Sequence, residues 1–205
     1  MSYELYIFGS AVRGEVTKNS DIDVLVITDR VEKKVMFPDS WSVYSKKSIE
    51  RYFSEGKLFA WHLYLDAKCI HCSESTTFLK QLGEPSPYKD LSDDFCSLSN
   101  LLDSSLKEIK STQSEVFEIG LIYTALRDIA MVASTSLNDR PCFSRYSPYK
   151  LSVKIPIPQD LYELMIEARL TSTRGVQFTG DINQITKMLA SSGIKPWVKG
   201  LEKIL

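Results

Sequence analysis

FGSAVRGEVTKNSDIDVLVI, residues 8–27, sets a Gly-Ser pair, a polar loop and two aspartates one residue apart between two apolar runs. Side chains on a strand alternate in direction, so Asp21 and Asp23 are expected on one side, with Ile22 and Val24 on the other. Two carboxylates left unpaired at the edge of a core would repel each other and cost several kcal/mol, so the position makes best sense with a cation bound there. Magnesium suits it, because that ion is held by one or two carboxylates together with waters and substrate phosphates.

The Gly-Ser pair supplies the complementary chemistry. Gly9 allows a sharp turn off the first strand and a close approach of ligand to backbone, while Ser10 offers a hydroxyl and an N–H to a phosphate oxygen. If AVRG opens a helix, its N-terminal dipole faces the same anion. Arg13 is then either a surface residue capping the loop or a further phosphate ligand, and Lys18 in the same loop reads as solvated.

Outward from this stretch, YELYIF (Tyr3–Phe8), IDVLVI (Ile22–Ile27) and WSVYS (Trp41–Ser45) read as strands. KKSIERYFSEG reads as a short helix ending near Gly56. KLFAWHLYLDAKCIHC carries a helix or strand followed by the strand AKCIH. GEPSPYKD, residues 83–90, reads as a connector, and beyond it the apolar period becomes helical. Leu91, Phe95, Leu98, Leu102, Leu106 and Ile109 recur at helical steps, as do Val116, Ile119, Tyr123, Leu126, Ala130 and Ala133. Pro158 and Asp181 sit well for helix starts, and Pro196 for the opening of a last helix. The expected fold class is α+β, with a small mixed-sheet domain over residues 1–85 and an all-α helical bundle over residues 86–205.

Gly9-Ser10, ten residues (Ala11 to Ser20), then Asp21-Ile22-Asp23, with a strand on each side, resembles the signature of the DNA polymerase β-like nucleotidyltransferase superfamily. The wording is most similar to its minimal nucleotidyltransferases, strongly over residues 3–30 and loosely to about residue 80. The resemblance implies that Gly9 and Ser10 hold a nucleoside triphosphate. It also implies that Asp21 and Asp23 bind Mg²⁺ ions that activate an acceptor and stabilise the pyrophosphate leaving group, in two-metal in-line transfer. It further implies a third carboxylate on a neighbouring strand. Asp39 is the only acid in MFPDSWSVYS, although Ser42 fits the same slot. Glu115 or Glu118, on the second long helix, is an alternative base. A second departure is that the first strand starts almost at Met1, where many family members carry a preceding helix. Either the domain is trimmed or a later helix covers that face.

The helical half is similar in placement to that of the kanamycin-type aminoglycoside nucleotidyltransferases, whose helical part resembles HEPN domains. HEPN ribonucleases carry an arginine followed within a few residues by histidine, whereas DIAMVAS after Arg127 contains none, so no such ribonuclease activity is expected. Arg127 itself calls for a partner in an ion pair, either near Asp128 or from an acid of the first domain. FSRYSPYK, residues 143–150, interleaves Arg145 and Lys150 with Tyr146 and Tyr149, a mixture suited to packing on the bundle or to gripping a base or phosphate. Strand alternation sends Cys69 and His71 to the side opposite Cys72, which argues against a structural zinc site in KCIHC.

The 205 residues are 43% hydrophobic and 25% charged, with 25 Lys+Arg against 26 Asp+Glu and a formal net charge of −1, so nothing global drives the chain onto a long nucleic acid or a membrane. Four cysteines do not make a secreted disulfide scaffold, no apolar run approaches the roughly 20 residues that span a bilayer, and a cytoplasmic location is expected. The expected activity is Mg²⁺-dependent transfer of a nucleoside monophosphate, AMP from ATP in the first instance, to a hydroxyl of a small molecule or partner protein. A decayed member of the fold acting as a binding or antitoxin-like regulatory module is the alternative.

Overall fold

Four short strands form one mixed sheet in the order β3-β2-β1-β4. They are β1 (Tyr3–Phe8), β2 (Asp23–Thr28), β3 (Ser42–Ser45) and β4 (Lys68–His71). The computed structural model describes residues 3–17, 20–29, 37–109, 111 and 113–205; Lys18 of the motif loop lies outside them. β1 runs antiparallel to both β2 and β4, whereas β2 and β3 are parallel. The sheet is therefore mixed, as the α+β reading requires.

Tyr6, Phe8, Leu25 and Ile27 project to one face of this sheet, where three helices cover them. These are α1 (Lys46–Glu55), α2 (Leu58–Asp66) and α3 (Phe78–Leu82). Ile49, Phe53, Ala60, Leu63, Phe78 and Leu79 supply the helical side of the core. Local chemistry sets the ends of α1: Ser45 accepts from the Ser48 N–H at 3.0 Å, and Gly56 ends the helix in the left-handed region at φ 70°. A Cβ on Gly56 would lie 2.4 Å from the carbonyl oxygens of Ser86 and Pro87, so the connector passes directly over this turn. The connector is fastened there by the Ser86 N–H to the Phe53 carbonyl at 2.9 Å, Trp61 Nε1 to the Ser86 carbonyl at 3.1 Å, and the Lys57–Asp90 pair at 2.6 Å.

Glu4 shares the buried face of β1 and is only 4% exposed. Its carboxylate accepts the Phe78 N–H through both oxygens at 3.0 Å and also receives the Tyr6 hydroxyl. A strand carboxylate thus satisfies an orphan donor at the start of α3. Burial, then the hydrogen bond to Glu4, pushes the Tyr6 phenol well above its ordinary value.

The chain divides into two compact units, one comprising Met1–Asp90 with Phe143–Arg145 and the other Leu91–Cys142 with Tyr146–Leu205. The second unit contains α4 (Leu91–Glu108), α5 (Glu115–Leu137), α6 (Ser147–Lys150), α7 (Gln159–Arg174), α8 (Ile182–Ser191) and α9 (Ile194–Ile204). α5 is its spine, with Ile119, Ile122, Leu126, Ile129 and Ala133 inaccessible to solvent and with α4 and α7 packed on it. Tyr162 of α7 meets Tyr123 and Tyr149 edge-on, at 5.3 and 5.2 Å between ring centres. Arg127 bonds Asp128 at 2.7 Å and lies over the Tyr123 ring at 5.6 Å, so the expected ion pair is present with an aromatic face added. Asp181 caps α8 by accepting from the N–H groups of Asn183 and Gln184. No helix among the described residues is long and apolar enough to cross a membrane.

FSRYSPYK divides between the units. Phe143–Arg145 belongs to the first, and Ser147–Lys150 forms the short α6 of the second. β4 ends at His71, so strand alternation does not extend to Cys72, whose thiol donates to the Glu74 carbonyl at 3.3 Å. Burial, with the neighbouring Cys72 thiol, raises the Cys69 thiol to about 11.

Candidate functional site

The end of β1 and the start of β2 meet at the cross-strand pair Phe8 and Asp23. Immediately after this pair Gly9 takes φ +72°, and a Cβ placed on it would lie 2.4 Å from Asp23 Oδ2. The carboxylate therefore rests against the bare backbone of Gly9, an approach no other residue type permits. The Gly9 carbonyl accepts the N–H groups of Val12 and Arg13 at 3.2 and 3.3 Å, and the Ser10 carbonyl accepts that of Glu15 at 3.0 Å.

These bonds close a single 3₁₀ turn over Gly9–Ala11 rather than the longer helix that AVRG could have begun. Such a turn has no macrodipole of consequence, so whatever anion affinity resides here comes from the Ser10 hydroxyl and local N–H groups. β2 begins at Asp23, which leaves Asp21 and Ile22 ahead of the ladder, Asp21 exposed and Ile22 64% exposed. Asp21 and Asp23 thus occupy the same end of the sheet as Gly9, with strand alternation governing only the second of them. Two hard-oxygen ligands at a partly solvated strand end, one against a glycine backbone, match the donor set magnesium prefers.

Asp39 lies in the segment just ahead of β3. It is an exposed central residue of the turn in which the Trp41 N–H donates to the Pro38 carbonyl at 2.9 Å. The β2–β3 ladder runs from Leu25 with Ser42 to Thr28 with Ser45, so Asp39 lies in the turn ahead of its first rung. Ser42 opens β3, and the strand Ser42–Ser45 carries no acid. Glu115 and Glu118 lie in the first turn of α5, in the second unit. Among the described residues, no group of three His, Cys, Asp or Glu side chains is arranged to hold a metal ion.

Arg13 is engaged with protein carboxylates. Its Nε donates to Glu15 at 3.2 Å, and its Nη1 reaches Asp66 and lies 3.2 Å from His62 Nε2. Burial alone would raise the Asp66 carboxyl, but hydrogen bonds from His62 and Arg13 outweigh it and hold the group below its ordinary value. His62 and Asp66 sit one helical turn apart on α2, a spacing visible in the sequence although its meeting with Arg13 is not. Glu15 receives two further donors, the Ser144 hydroxyl and the Arg145 N–H at 3.3 Å.

Residues 2–91 match the family model described as Nucleotidyltransferase domain. No curated protein matches the chain. Over residues 2–91 the first unit is thus similar to nucleotidyltransferase domains, and the match is consistent with the superfamily whose signature Gly9-Ser10 and Asp21-Ile22-Asp23 resemble.

Proposed function

We propose that this nucleotidyltransferase domain transfers a nucleoside monophosphate, AMP from ATP in the first instance, to a hydroxyl of a small molecule or partner protein and releases pyrophosphate. The observation that carries the reading is the Asp23 carboxylate lying on the backbone of the positive-φ Gly9 at the strand-turn-strand junction. In this reading Asp21 and Asp23 hold magnesium, while Gly9 and the Ser10 hydroxyl orient the triphosphate. Magnesium, when bound, offsets phosphate charge and favours the pyrophosphate leaving group. The acceptor hydroxyl oxygen forms a bond to the α-phosphorus as the bond to the bridging oxygen of the β-phosphate breaks; pyrophosphate leaves and the hydroxyl proton passes to solvent. Arg13 has a positioning role, fastening the loop to α2 through Asp66. The near-neutral charge favours a compact acceptor over a long nucleic acid. Four free cysteines accord with a reducing, cytoplasmic setting.

One observation favours a second reading. With Asp39 in an exposed turn and no acid on β3, the fold can serve as a nucleotide-binding or antitoxin-like regulatory module without turnover. Incubation with each of the four α-labelled NTPs and Mg²⁺, with and without hydroxyl acceptors, separates the two. Label transfer or pyrophosphate release that Asp21→Asn and Asp23→Asn abolish supports the transferase. NTP binding without release under every condition supports the module.

A further inference from the structure

Three consecutive residues from far downstream grip the motif loop inside the first unit. Glu15, its side chain 13% exposed, gathers Arg13 Nε at 3.2 Å, the Ser144 hydroxyl and the Arg145 backbone N–H at 3.3 Å. The Arg145 guanidinium donates to Ser20 Oγ at 3.2 Å, and the same oxygen accepts the Thr17 N–H at 2.9 Å. Ser20 directly precedes Asp21. The Phe143 ring stacks on His62 at 4.5 Å and 19°, and His62 in turn touches Arg13 and Asp66. The tripeptide thus holds the loop at its middle through Glu15, at its end through Ser20, and at the helix beneath it through His62.

A polar loop of this kind buries little apolar surface of its own, and each ordered residue costs about 1–2 kcal/mol of backbone entropy. Bonds from outside the loop therefore decide whether Ser10 and Asp21 stay in place. We propose that Phe143–Arg145 is a clamp, with Glu15 and Arg145 as positioning residues, that presets the loop for metal and triphosphate. The nucleotide site is then completed by the segment between α5 and α6, beyond the residues that carry its motif. The inference rests on the proposed function for its ligands, but the clamp itself can be tested without them.

The test uses the full chain with Ser144→Ala, Glu15→Gln, Arg145→Ala and Arg145→Lys, read by hydrogen exchange resolved along the sequence. Losing one charge-assisted bond is expected to speed exchange across residues 15–23 by roughly tenfold in Glu15→Gln, Arg145→Ala and Ser144→Ala, with less change in Arg145→Lys. β1 and β4 should keep their protection. In turnover, KM for Mg·NTP is expected to rise by a similar factor while kcat falls less, and Arg145→Lys should recover part of the loss. Unchanged exchange over residues 15–23 in both Glu15→Gln and Arg145→Ala overturns the clamp, as does protection lost evenly along the whole chain. Absence of turnover and of NTP binding in the unsubstituted protein would instead count against the proposed function, while the exchange data still decide the clamp.

Discussion

Gly9 is the residue on which the site geometry turns. Its positive φ and the Asp23 carboxylate against its backbone impose separate penalties on any side chain there. Gly9→Ala is expected to destabilise the protein by about 2–4 kcal/mol, measured by denaturant unfolding, with loss of nucleotide binding. Asp66 gives a second prediction. Its folded carboxyl lies below the ordinary value of 3.8, so its contribution to stability is present above about pH 4 and is lost as pH falls through the depressed folded value. Melting temperature followed from pH 7 to pH 2 should fall through that window, and Asp66→Asn should flatten this part of the profile.

At the scale of elements, caps join strand and helix chemistry. Glu4 lies on β1 yet satisfies the first N–H of α3 and the hydroxyl of Tyr6. Glu4→Ala strips both donors of a buried acceptor and is expected to cost about 3 kcal/mol in equilibrium unfolding. Asp181→Ala, which removes a side-chain cap from an exposed helix start, should cost only about 1 kcal/mol by the same measurement. The difference follows from burial: water can replace Asp181 as an acceptor but has little access to Phe78, 8% exposed.

For the molecule as a whole, the first unit carries the stretch that matches the nucleotidyltransferase family model and the second a helical assembly built on α5. Nucleotide binding to the folded state alone must stabilise it by mass action, about 2.7 kcal/mol at a ligand concentration one hundred times Kd. Mg·ATP is therefore expected to raise the melting temperature of the unsubstituted protein and to leave Asp21→Asn/Asp23→Asn unchanged. An equal shift in both would mean that the nucleotide binds without those carboxylates.

The sequence by itself determined the strand-turn-strand motif, the long helices α4 and α5, and the starts of α7 and α8. Each depends on interactions among residues a few positions apart: alternation, helical period, a proline or a capping carboxylate. It also marked Gly9, Ser10, Asp21 and Asp23, because their spacing is itself the signal. The turn holding Asp39, the single 3₁₀ turn after Gly9, and the carboxylate partners of Arg13 were decided by tertiary structure. Arg13 and Asp66 lie 53 residues apart, and Ser144 and Glu15 lie 129 apart. No local periodicity encodes such meetings; they exist only once helix α2 and the Phe143–Arg145 segment have packed on the sheet unit.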